Sequence, residues 1–155
     1  MIRLLGKVPD EICIAVSGGA DSMAALNFLS KNRRVVALHF NHNTEYADTA
    51  EQVVVNYCKE NGIKCVIGRL SKNIPKGVSK EDFWRKERYS FFEKESMNLP
   101  VITCHHLNDA VETWIFTSLH GKPRLIPHSR DNFLRPFLLS KKEAMINWCH
   151  NKGVP

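Results

Sequence analysis

The sequence predicts an α/β fold, a parallel sheet with helices packed on both faces. Three observations carry this. Short apolar runs rich in β-branched residues recur at residues 12–16, 35–40, 64–68 and 99–104, each the length of a buried strand. Between them, apolar residues repeat at three- and four-residue spacing, the stripe of an amphipathic helix. Strand and helix alternate along the chain, a rhythm that right-handed crossovers turn into a parallel sheet.

The first run, Ile12-Cys13-Ile14-Ala15-Val16, leads into Ser17-Gly18-Gly19-Ala20-Asp21-Ser22, after which Met23, Leu26 and Leu29 recur at helical spacing. The six residues therefore occupy a strand-to-helix turn. In an open parallel sheet such a turn lies at the carboxyl end of a strand, where ligands bind, and the free N–H groups of the new helix favour an anion. Gly18 and Gly19 have no Cβ, so the backbone can bend sharply and approach a phosphate. Ser17 and Ser22 add hydroxyl donors. Asp21 is the informative residue, because a carboxylate beside a phosphate repels it unless a cation such as Mg²⁺ lies between. The stretch reads as a nucleotide and metal site. Its plainer reading is a tight turn with Asp21 as a helix cap worth about 1 kcal/mol. No G-x-x-x-x-G-K-[ST] occurs, so no loop lysine is aimed at the β- and γ-phosphates.

The second run ends at Asn41-His42-Asn43, and a helix with the stripe Ala50, Val53, Val54, Tyr57 and Cys58 follows, stopped by Gly62. Beyond the third run, residues 70–79 hold Pro75 and Gly77 and read as a long polar loop of the kind that carries function. Residues 81–96 read as a helix with Phe83, Trp84, Phe91 and Phe92 available for the core. After the fourth run, Val111, Trp114, Ile115, Ser118 and Leu119 form another amphipathic stripe, with Trp114 expected in the core. Residues 120–136 show no periodicity and read as a basic loop with His120, Lys122, Arg124, His128, Arg130 and Arg135. A last helix is expected from the N-cap Ser140, with Glu143 three residues on, to Asn151, ending at Gly153.

A chain of 155 residues is one domain's worth, and 1–155 is read as a single domain. With 43% hydrophobic and 25% charged residues it has the composition of a soluble globule. A net charge of +6 suits a polyanionic partner such as RNA, or plain solubility. No apolar run approaches a membrane span, and no signal-peptide core is present, so the cytoplasm is the expected setting. The five cysteines, Cys13, Cys58, Cys65, Cys104 and Cys149, contain no C-x-x-C pair, which argues against a disulfide framework or a zinc site.

A second constellation, His105-His106-Leu107-Asn108-Asp109-Ala110-Val111-Glu112-Thr113, opens on the same sheet edge as the glycine turn. On a helix, His106, Asp109 and Glu112 share a face. An imidazole and two carboxylates can bind Mg²⁺ or seat a cationic amine and take its proton. The plainer reading is a polar first turn favoured by the helix dipole.

The glycine turn resembles the S-G-G-x-D-S signature of the PP-loop ATP pyrophosphatases. That resemblance implies a Rossmann-like, three-layer sandwich of the adenine nucleotide alpha hydrolase type. It also implies that ATP is cleaved at its α-phosphate, with release of pyrophosphate and adenylation of a substrate oxygen. Sulfur-inserting members of that superfamily carry paired cysteines that this chain lacks. The second constellation resembles the H-H-x-D-D-Q-x-E-T element of the tRNA(Ile) lysidine synthetases, which join lysine to a cytidine of an isoleucine tRNA. Asn41-His42 is similar to that family's N-H-x-x-R element, Arg85 with Arg88-Tyr89 to its A-R-x-x-R-Y helix, and Arg135-Pro136-Phe137-Leu138 to its R-P-L-L segment. Asn108 and Ala110 depart from the pattern, the first removing a carboxylate. The family's D-P-S-N and R-N elements and its tRNA-gripping domains have no counterpart up to Pro155, so recognition is expected to rest on the anticodon region, a homodimer or partner chain, or a smaller substrate.

The resemblance implies ATP and Mg²⁺ at Ser17, Gly18, Gly19, Ala20, Asp21 and Ser22, with Asp21 on the metal and Asn41, His42 and Arg85 on the nucleotide. It implies free lysine held by Asp109 and Glu112, with His106 as base. Arg85 and Arg88 are expected to neutralise triphosphate or RNA phosphate, or else to form surface ion pairs. Lys122, Arg124, Arg130 and Arg135 are expected to meet RNA backbone. Two other readings stay open at this point: a different adenylating enzyme acting on a nucleotide or nucleic-acid base, and a non-catalytic nucleotide- or RNA-binding module.

Overall fold

A computed structural model describes residues 1–70 and 73–155. Its order is β1 (Glu11–Ala15), α1 (Ala20–Ser30), β2 (Arg34–Asn41), α2 (Ala47–Glu60), β3 (Lys64–Arg69), α3 (Lys80–Glu95), β4 (Val101–Ile102), α4 (Leu107–Leu119), β5 (Ser129–Arg130), β6 (Phe133–Leu134) and α5 (Lys142–Lys152). The six strands form one sheet in the order β3-β2-β1-β4-β6-β5, parallel throughout except for the β5–β6 pair. The α/β fold class expected from the sequence is the one observed. From β1 the chain steps outward to β2 and β3, then returns to the other side of β1 as β4. The switch in direction lies between β1 and β4, where open α/β sheets bind ligands.

Period-two alternation divides β1 between two cores. Ile12 and Ile14 face α1, α2 and α5, while Cys13 faces α3 with Leu38, Phe92, Val101 and Phe133. Helix α1 is apolar around most of its girth, since it is wedged between the sheet and α5 and buries Met23, Ala24, Ala25, Leu26 and Leu29 completely. A polar strap crosses this layer: Trp148 Nε1–H donates to Asn27 Oδ1 at 2.8 Å, and Asn27 Nδ2–H to the Tyr57 hydroxyl at 2.8 Å.

Several expectations are corrected. Residues 120–136 are not all loop. Ser129–Arg130 and Phe133–Leu134 form a hairpin around Asp131, whose φ is +53°, and β6 extends the parallel sheet beside β4. Two-residue strands are too short to show periodicity, though Asp131-Asn132 is suitable turn chemistry. Ser140 does not cap α5. It is fully buried, its hydroxyl donating to the Arg3 carbonyl at 2.7 Å and accepting the Arg3 N–H at 2.8 Å, and Lys141 takes the N-cap position. The stripe on α4 does not pack inward: Thr117 is the buried residue of that helix, and Trp114 is half exposed. Trp84 is also outside the core clusters, stacked on His42 with ring centres 5.3 Å apart. Of the expected loop at 70–79, residues 71 and 72 lie outside the described residues, and 73–79 hold no helix or strand. Among the described residues no helix is long and apolar enough to cross a membrane.

Candidate active site

The turn after β1 is shaped from within. Gly18 adopts φ +90°, and a Cβ there would stand 3.1–3.3 Å from Ala50. Gly19 is the N-cap of α1 and makes no side-chain cap bond; its own Cβ would meet nothing nearer than Ser17 Oγ at 3.4 Å. The first N–H groups of α1, from Ala20 onward, therefore open toward a site an anion can fill. Ser22 serves this shape. Its buried hydroxyl donates to the Gly19 carbonyl at 3.0 Å and accepts the Ser17 N–H at 3.1 Å, so it is a scaffold of the turn rather than the free donor expected. Ser17 Oγ in turn accepts the Gly19 N–H at 3.3 Å.

Two cysteines to which the sequence assigns no role fasten the first turn of α1. Cys104 Sγ–H donates to the Asp21 carbonyl and Cys149 Sγ–H to the Ala20 carbonyl, each at 3.2 Å. Burial, reinforced by the charge of Asp21, pushes both thiols up, which keeps them protonated donors.

Asp21 faces the start of α4. His106 is the N-cap of that helix and forms a capping box with Asp109: Asp109 N–H reaches His106 Nδ1 at 3.3 Å, and His106 N–H reaches Asp109 Oδ2 at 2.9 Å. An Nδ1 that accepts leaves the ring proton on Nε2, which lies 3.2 Å from Asp21 Oδ2. His106 is thus buried with both nitrogens engaged by the two loops it joins. The amine-facing role expected of it has no free nitrogen to perform it. Asp21 Oδ1, in contrast, is buried without a hydrogen-bond partner. An orphaned carboxylate oxygen beside an open helix N-terminus fits a divalent cation shared with phosphate oxygens. Among the described residues no three His, Cys, Asp or Glu side chains converge to hold an ion by themselves.

Two cavities meet at this edge. The smaller, about 400 Å³, lies over Ser17 and Ser22 and is bounded by His39, His42, Tyr46, Ala50 and Thr103. The larger, about 1070 Å³, is bounded by α3, α4 and residues 124–135, including Arg85, Asp109, Glu112, Arg124, Arg130 and Arg135. Arg88, Tyr89 and His105 line both. Arg85 and Arg88 each lie over the Tyr89 ring, 5.8 and 5.5 Å from its centre. Arg85 belongs to the larger cavity, away from the smaller one where nucleotide contact was expected. Lys122 lines neither cavity. Asn41 is also displaced from its expected role: it is buried, its Nδ2–H donating to Asp48 and Glu51 at 2.9 and 2.6 Å, and it ties β2 to α2.

Two histidines were missed. His39 donates from Nδ1–H to the Val16 carbonyl at 2.7 Å, leaving Nε2 a buried acceptor with no partner at the smaller cavity. A histidine inside the apolar run 35–40 was the available signal. His105 has Nδ1 3.2 Å from the Thr103 hydroxyl. Burial, then the cations Arg135, Arg88 and Arg85, hold it below the usual histidine range, against the opposing pull of Asp109. His42 is lowered too, by burial first and then by Arg88 and His39.

A PP-loop domain model matches residues 3–155. The chain belongs to the PP-loop domain family. Curated relatives of this PP-loop domain include the tRNA(Ile)-lysidine synthases of Clostridium perfringens, 34% identical across 92% of this chain and 34% of that protein, and of Bacillus subtilis, 30% identical across 92% and 34%. That of Malacoplasma penetrans is 32% identical across 91% of this chain and 52% of its own length. The chain thus spans about a third of the first two relatives and about half of the third. Among solved structures, the fold is shared with an NMN synthetase from Francisella tularensis (TM-score 0.60, 14% identity, 94% of this chain and 63% of that one). It is shared as well with an NH3-dependent NAD synthetase from Campylobacter jejuni (TM-score 0.62, 12% identity, 96% and 66%).

Proposed function

We propose that this PP-loop domain, residues 1–155 acting as one unit in the cytoplasm, adenylates a cytidine of a tRNA with ATP and then joins lysine to it. The observation that carries the reading is the junction of two cavities, one bounded by Ser17 and Ser22 of the glycine turn and one walled by Asp109 and Glu112, through Arg88, Tyr89 and His105. Identity of 30–34% to tRNA(Ile)-lysidine synthases supports it.

In this reading the triphosphate lies along the turn of residues 17–22, received by the N–H groups of Ala20 and Asp21. Asp21 would hold Mg²⁺ through the orphaned Oδ1, and the ion would supply charge neutralisation to the phosphates. His106 is a positioning residue that fixes Asp21 through Nε2–H. Arg88 meets the charge that develops on the α-phosphate. The cytidine O2 attacks the α-phosphorus, the bond to the bridging oxygen breaks, and pyrophosphate leaves. The lysine amine, seated by Asp109 and Glu112, then attacks C2; the C2–O bond breaks, AMP departs, and His105 takes the amine proton. His105 suits this task because it faces both cavities and stays neutral. Arg124 and Arg130 receive the backbone of the anticodon region; Arg135, expected to join them, is buried with Nη1–H donating to the Pro127 carbonyl at 3.0 Å and holds the segment before β6 instead.

Incubation with isoleucine tRNA, ATP, Mg²⁺ and lysine tests the reading. It predicts pyrophosphate release and a lysine mass gain on one cytidine, both lost in Asp21→Ala. ATP binding with neither product, on the tRNA or on its anticodon stem-loop, would overturn it in favour of a binding module.

A further inference from the structure

Helix α4 touches the domain along one narrow edge. Thr117 is its buried residue, and the Arg124 N–H returns to the Thr117 hydroxyl at 2.9 Å, so the segment after the helix folds back along the inner side. The outer side is left bare. Val111, Trp114, Ile115, Phe116 and Leu119, with Leu125 beside them, are exposed by between 48 and 80%. At 100° per residue, positions 111, 114, 115 and 119 form one continuous stripe. Six large side chains so exposed present on the order of 500 Å² of apolar surface, at the upper end of what a monomer shows to water.

The charges around the stripe say what covers it. Asp109 and Glu112 stand at the amino end of α4, no charged residue occurs from 113 to 119, and His120, Lys122 and Arg124 follow the carboxyl end. Such a face is complementary to itself when reversed: about a two-fold axis near Ile115, Val111 meets Leu119 of the second copy, and the acidic end of each helix meets the basic end of the other. A parallel arrangement would set like charges together, at a cost in affinity. We infer that the exposed face of α4 is an isologous, antiparallel interface that pairs two copies of this chain. The apolar stripe alone falls short of the roughly 800 Å² per partner of a standard interface. The rim of Glu112 and Lys122 supplies the polar remainder. Glu112 also walls the larger cavity, so pairing brings the second copy's basic segment to the mouth of this copy's site and extends the positive surface there.

Sedimentation of the 155-residue chain over a range from micromolar to hundreds of micromolar tests this without reference to catalysis. The expected result is a concentration-dependent rise to twice the chain mass. In Ile115→Lys the dissociation constant should rise at least about tenfold, with an unchanged melting temperature because the residue is already in water. Register is read by oxidative cross-linking: Val111→Cys mixed with differently tagged Leu119→Cys should join as a mixed pair, and neither variant with itself. A wild-type chain that stays monomeric overturns the inference, as does a dimer that survives Ile115→Lys or cross-links 111 to 111.

Discussion

Asp21 and His106 are separated by most of the domain in sequence and by 3.2 Å in space, and that contact decides how the site can work. A histidine with both nitrogens engaged orients a carboxylate; it does not collect protons from a substrate. In the proposed mechanism the neighbouring His105 takes that part, and its environment makes a signed prediction. Burial and arginines lower its pKa below the ordinary 6.5 or so, and the neutral form is the base. The lysine-dependent step should therefore hold its rate as pH falls to the ordinary histidine value and lose it only at lower pH, where the ring protonates. His105→Asn should slow that step by about 100-fold in stopped-time assays while pyrophosphate release persists. Gly18 and Gly19 separate in the same way. Gly18→Ala combines positive φ with contact at 3.1 Å on the Ala50 backbone and should lose about 1–3 kcal/mol of stability in denaturant melts. Gly19→Ala should fold normally, since its new Cβ would meet nothing nearer than Ser17 Oγ at 3.4 Å, and any loss should appear in ATP affinity. None of this pairing was legible in the sequence: His105 and His106 are adjacent, and only the capping box shows which one turns inward.

At the scale of elements, the sequence was most readable where burial imposes a period. The β1, β2 and β3 runs and the stripe of α2 emerge at their expected places, because each element is long enough for alternation or helical spacing to register. The fourth run is found too, as β4 within residues 99–104, whereas the two-residue strands β5 and β6 take their pairing from neighbours rather than from pattern. Helix α4 misled for a different reason. Amphipathic spacing shows that a helix has an apolar face, not which body that face meets. Gly68 is a contrasting case in which an element depends on one missing atom. On β3, a Cβ at that position would lie 2.6 Å from the Phe91 ring, itself packed on Phe40 with ring centres 5.6 Å apart. Gly68→Ala should cost about 1–3 kcal/mol in thermal or denaturant unfolding and leave the turn at residues 17–22 unaltered.

For the whole molecule, the relevant quantity is a net charge of +6 gathered in part around the larger cavity. If Arg124 and Arg130 each neutralise one phosphate of a single-stranded loop, log affinity for an anticodon stem-loop should fall with log salt at a slope of about −1.4. Arg130→Ala should reduce that slope by roughly 0.7. Lys122, outside both cavities, should alter it less. Fold and loop were legible together because the topological switch between β1 and β4 forces the two motif-bearing turns onto one edge. The division of that edge into two cavities was not, since it depends on how α3 leans Arg88 and Tyr89 across it. The most direct measurement of the chemistry follows one atom. With tRNA carrying ¹⁸O at the cytidine O2, the account predicts that the label leaves in AMP when lysine is added; label retained in the RNA, with lysine attached or with AMP unlabelled, would contradict it.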